Sequence, residues 1–99
     1  MTQVYAQEFD HRYMLAAIGH ATGSDTVCAA VSALIYAFAG YLDNDQQAKV
    51  IYRHMTDGNI YFDCTGGDRL QAAFEMAVIG LQQVAEAEPE YLNVTFMAK

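Results

Sequence analysis

The sequence predicts an α+β fold, a single-domain α/β sandwich with a largely antiparallel sheet and two helices in the order β-β-α-β-β-α-β. Three observations lead there. Ninety-nine residues suffice for one hydrophobic core and no second domain. Two stretches repeat apolar residues at helical spacing. Around them lie five short runs rich in β-branched and aromatic residues, four of which pair off across short polar turns.

The first pair is residues 3–8 and 13–18, apolar-rich runs separated by Asp10, His11 and Arg12, which suits a hairpin. A helix follows. Gly23 and Ser24 break the strand pattern, Ser24 or Asp25 can cap the first turn, and alanine-rich sequence continues to Gly40, a natural left-handed stop. Val27, Val31, Leu34 and Phe38 share one face, with Cys28, Ser32, Ile35 and Ala39 beside it, so the helix is expected to be buried on more than one side. "DNDQQAK" (43–49) reads as a solvated link. "VIYRHM" and "IYFDCTG" then form a second hairpin around "TDGN", with Asp57 and Gly58 in the turn. From Asp68 to about Glu88, Leu70, Phe74, Ala77, Leu81 and Val84 mark the second helix, which Pro89 closes. "YLNVTF" (91–96) is the last strand. Periodicity leaves open whether both helices share one face of the sheet.

Composition narrows the function. A net charge of −7, with only five Lys and Arg, argues against a nucleic-acid partner and favours a basic peptide or protein. "MTQVYAQEFDH" has neither the basic start nor the apolar run of a secretory signal. The longest low-charge stretch, Thr26 to Leu42, falls short of the roughly 20 residues of a membrane span. A soluble cytoplasmic protein with no membrane partner is expected. Its two cysteines, Cys28 and Cys64, are too few for a disulfide framework.

"IGHATGSDTVCAAVSALIYAFAG" (18–40) carries the chemistry. A cysteine three or four residues after an N-cap lies where unsatisfied N–H groups and the helix dipole favour a thiolate. The same N–H groups can receive the oxyanion formed when that thiolate attacks a carbonyl. His20 ends the preceding strand eight residues upstream, and a folded connector would bring its imidazole over the helix start. Taken alone, however, a cysteine in "VCAAVSAL" is more often core filler than nucleophile, and a lone histidine at a strand end is usually structural or solvated.

"GHA" (19–21) followed by "DTVCAAVSAL" (25–34) resembles the paired signature of the ribosomal-processing cysteine proteases, the Prp family. "GLQQVAEAEPEYLNV" (80–94) is similar to that family's second helix and last strand. The resemblance implies that Cys28 is the nucleophile and His20 the general base and later acid, with Asp25 capping the helix or orienting the histidine. Ser32, one turn beyond Cys28, supports the sulfur or returns its hydroxyl to a helix carbonyl, the second being favoured. It further implies an endopeptidase without cofactor that removes the N-terminal extension of a large-subunit ribosomal protein, a basic substrate that an acidic chain attracts. One departure is visible. The family's connector is longer and Gly-rich, whereas here the substrate loop is only Ala21, Thr22, Gly23 and Ser24 before "DTV". A phage-type relative with another precursor, or a non-catalytic peptide-binding module of the same fold, are the alternatives.

Other clusters carry less. His54 and Cys64 lack the paired spacing that would make them zinc ligands with His20 and Cys28, so no metal site is expected. "TGGD" (65–68) lacks the Walker lysine and reads as a helix-start turn, while "EAEPE" (86–90) is a solvated helix end. Tyr36 and Tyr41, near the end of an apolar helix, predict a homodimer.

Overall fold

The computed structural model describes residues 1–20 and 23–98. Strands β1 (Thr2–Phe9) and β2 (Arg12–Ile18) form a hairpin turning at Asp10 and His11, both in left-handed backbone with φ of 50° and 64°. A turn of that hand matches the twist of the strands, so two residues suffice and Arg12, expected in the turn, opens β2 instead. Helix α1 (Asp25–Asn44) follows, then the hairpin of β3 (Lys49–Thr56) and β4 (Asn59–Thr65), helix α2 (Asp68–Ala87) and β5 (Leu92–Ala98).

The sheet order is β3-β4-β2-β1-β5. β1–β2, β2–β4 and β3–β4 are antiparallel, and β5 lies parallel to β1 after α2 has carried the chain back along the sheet. Alternate residues decide the layers. Val4, Ala6, Tyr13, Leu15, Phe62 and Cys64 are buried in one core with residues of both helices, so α1 and α2 share a single face. Phe74 of α2 organises that core, with its ring 5.1 Å from Tyr13, 5.8 Å from Phe38 and 6.4 Å from Phe96. The intervening residues Tyr5, Ile18, Tyr52 and Met97 are exposed.

Helix α1 departs from expectation twice. It runs through Gly40 to Asn44, because Leu42 extends the buried stripe and its burial, worth about 2 kcal/mol, outweighs the cost of an internal glycine of about 1 kcal/mol. The end is held by Asn44 Nδ2 donating to the Gly40 carbonyl (2.7 Å) and by Tyr41 Oη donating to Asp45 (2.7 Å). Nor is the helix buried on more than one side. Val27, Val31, Ile35, Phe38, Ala39 and Leu42 form one broad buried face, Leu34 is half-buried, and Ala29, Ala33, Tyr36 and Ala37 meet solvent. Alanine exposes too little apolar surface to force a second buried face. By length and composition α1 could cross a membrane, yet its Ile35, Phe38 and Leu42 are buried in the core shared with the sheet and α2.

Candidate active site

His20 stands just beyond the end of β2, and the backbone around it is tightly specified. Gly19 takes φ 91°, and a Cβ there would lie 2.8 Å from the Met1 carbonyl oxygen, so only glycine lets the chain leave the sheet at this point. The Gly19 N–H donates to the Gly58 carbonyl (2.9 Å), tying the histidine's base to the β3–β4 turn.

Cys28 reaches the same place from the other side. Ser24 is the N-cap of α1, its Oγ accepting from the Val27 N–H (3.2 Å), while the Cys28 N–H already donates to the Ser24 carbonyl (3.2 Å). That leaves the N–H groups of Asp25 and Thr26 without a partner among the described residues, one turn below an exposed thiol. The first turn of an apolar helix therefore presents a sulfur, the Asp25 and Thr26 N–H groups and the positive end of the helix dipole together.

Both side chains line one cavity of about 390 Å³ between the start of α1 and the end of the β3–β4 hairpin. Its floor is apolar, from Val31, Ile35, Met55 and Ile60, and Ser32 and Tyr36 form part of its wall. No hydrogen bond joins the Cys28 thiol to either nitrogen of His20, and no hydrogen bond returns from Ser32 Oγ to the helix among the described residues. Asp25 is exposed in the first turn, where Ser24 and not Asp25 supplies the cap. The carboxylate that does approach the histidine is Asp57, its Oδ1 3.9 Å from Nδ1. From the sequence Asp57 lies only in a turn, since nothing local to residues 56–59 signals that β4 will pair with β2 and carry the turn to His20. Of the short substrate loop, Gly23 takes φ 92° with Tyr91 alongside, and Ala21 and Thr22 lie outside the described residues.

The other thiol is chemically separate. Cys64 is fully buried on the helix-facing side of β4, its Sγ donating to the Tyr13 carbonyl, and burial together with the Asp63 charge pushes its thiol up to about 12. His54 projects from the opposite face of the sheet beside Thr56, so neither residue converges with His20 and Cys28. Among the described residues no group of three or more His, Cys, Asp or Glu is arranged to hold a metal ion.

Comparison with known proteins bears on this arrangement. Among curated proteins none matches the chain. Among solved structures, the fold is similar to that of an essential ribosomal processing protease, Prp, from S. aureus in complex with a covalently linked product peptide. That match has a TM-score of 0.84 at 20% identity, over 97% of this chain and 99% of that one. The S. aureus protease with a substrate peptide matches with a TM-score of 0.77 at 17% identity, over 97% and 99% of the two chains. SMU.848 from Streptococcus mutans matches with a TM-score of 0.78 at 25% identity, over 100% and 96%. The family profile described as cysteine protease Prp matches residues 1–93, so that the histidine, the helix-start cysteine and nearly the whole fold fall inside it, and the chain belongs to this family of cysteine proteases.

Proposed function

We propose that the protein is a ribosomal-processing endopeptidase in which His20 and Cys28 act as a dyad, with the Asp25 and Thr26 N–H groups as oxyanion donors. The observation that carries this reading is a single cavity lined by both an exposed helix-start thiol and the His20 imidazole. In the first half-reaction the Cys28 thiol gives its proton to His20, and the thiolate adds to the scissile carbonyl carbon while the C=O electron pair moves to oxygen. Collapse of that adduct expels the amine, which takes the proton from His20 and leaves a thioester on Cys28. Water, deprotonated by His20, then adds to the thioester carbon; the departing thiolate recovers the proton, and a carboxylic acid product is released.

The substrate in this reading is the N-terminal extension of a large-subunit ribosomal protein, a precursor whose basic character suits a chain of net charge −7. Support comes from the S. aureus relative, described as a ribosomal processing protease and solved with substrate and product peptides. The apolar cavity floor also fits a peptide side chain. Incubation with a peptide spanning such an extension tests the reading: cleavage is expected, and cleavage that persists undiminished in Cys28→Ala overturns the nucleophile. Scission should slow as ionic strength rises, because long-range steering is screened.

We further propose a cytoplasmic homodimer joined through the outer side of α1. Tyr36 is 60% exposed beside Ala33 and Ala37, and a shallow apolar groove runs between α1 and α2 past Leu34 and Val84. Tyr41, by contrast, is partly buried and bound to Asp45 in its own chain. Sedimentation as a monomer at micromolar concentration would overturn the dimer, and recovery of the native protein outside the cytoplasm would overturn the location.

A further inference from the structure

We propose that Asp57 is a positioning residue for catalysis, holding the imidazole of His20 from the β3–β4 turn. The inference rests on the His20–Cys28 dyad proposed above and adds to it a third participant. Three observations converge on the turn. The Gly19 N–H to Gly58 carbonyl bond, with Ile18 paired to Asn59, joins the base of the histidine and the turn into one body. Asp57 Oδ1 lies 3.9 Å from His20 Nδ1, and both residues line the cavity that contains Cys28. Gly58, at φ 77°, is the surface on which the ring rests, for a Cβ there would stand 2.5 Å from Nε2. Any larger residue at position 58 would drive the imidazole from this position.

The chemistry gives the carboxylate its task. When His20 takes the thiol proton it becomes a cation, and a carboxylate at Nδ1 both favours that cation and leaves Nε2 as the nitrogen that exchanges the proton with Cys28. Asp25, the other carboxylate near the site, makes no ion pair with His20 among the described residues. The Asp57 side chain is 98% exposed and that of His20 54%, so solvent screens the interaction and its effect is modest and salt-dependent.

The test uses the full chain, a synthetic peptide spanning the extension junction of the ribosomal precursor, and iodoacetamide as a probe of Cys28. Asp57→Asn is expected to lower kcat and the Cys28 alkylation rate about two- to fivefold at low salt, the reach of an exposed ion pair, with KM unchanged. At about 1 M salt, where the screening length is about 3 Å, the variant and the parent converge. Asp57→Glu, which keeps the charge, restores most of the loss. If His20→Ala abolishes both readouts while Asp57→Asn leaves both unchanged, the role of Asp57 is overturned and the dyad stands. A rise in KM at constant kcat would assign Asp57 to substrate contact and likewise overturn it. If alkylation of Cys28 is unaffected by His20→Ala, the dyad itself fails and Asp57 falls with it.

Discussion

Cys28 and Cys64 contrast in a way that one reagent can read. Cys28 is exposed at a helix start; Cys64 is buried, hydrogen-bonded to a strand carbonyl and pushed up to about 12. Iodoacetamide near neutral pH should therefore modify one thiol of the native protein, with the second reacting only after denaturant unfolds it. Two equal rates would contradict the burial of Cys64. Glu8 is the other residue whose environment makes a prediction. Burial first, then repulsion from Glu75 and a hydrogen bond with it, raise its carboxyl above the ordinary range, against a smaller opposing pull from His11. Its Oε1 is buried without a hydrogen-bond partner among the described residues. The fold thus favours protonated Glu8, a stabilisation present below the ordinary carboxylate range of about 4 and lost as pH rises through the raised value. Glu8→Gln should raise the melting temperature at pH 7, with the gain vanishing as the pH approaches 4.

At the scale of elements, the start of α1 joins stability to function. Ser24→Ala removes the acceptor of the Val27 N–H and should cost about 1 kcal/mol in denaturant unfolding. Because Cys28 lies in the turn that this cap organises, the alkylation rate of Cys28 should fall in the same variant. The β2–β4 pair has its own clasp. Arg12 Nε and Nη2 bind the two carboxylate oxygens of Asp63 at 2.9 and 2.6 Å, and Asp63 is buried although it sits on the face without helices. Arg12→Ala strands that carboxylate and should lower the denaturant midpoint, with Asp63→Asn in the same chain recovering part of the loss. Much of this level was legible beforehand. Helical spacing, Ser24, Asp68 and Pro89 mark the helix limits within a few residues, and the one misplaced end, Gly40, failed because burial of Leu42 is a tertiary effect that outweighs glycine's local preference.

For the whole molecule, the core is a single layer between one sheet face and two helices, and Phe74 lies where the aromatic contacts of both layers meet. Phe74→Ala should cost about 3–5 kcal/mol and lower the melting temperature by more than any single surface replacement. The exposed residues of the opposite face, among them Tyr5 and Ile18, should tolerate polar substitution within about 0.5 kcal/mol. That the helices share a face could not be read from β2, whose "RYMLAAI" places apolar residues on both sides. The sequence by itself determined the order of elements and the start of α1 with Cys28 in its first turn, because capping and periodicity act over a few neighbouring residues, and it marked Cys28 and His20 as candidates through the family resemblance. Only the tertiary structure decided which carboxylate meets the histidine. Asp25 is close in sequence but makes no ion pair with His20 among the described residues, whereas Asp57 arrives from a distant hairpin because β4 pairs with β2, a choice made by burial of the common core.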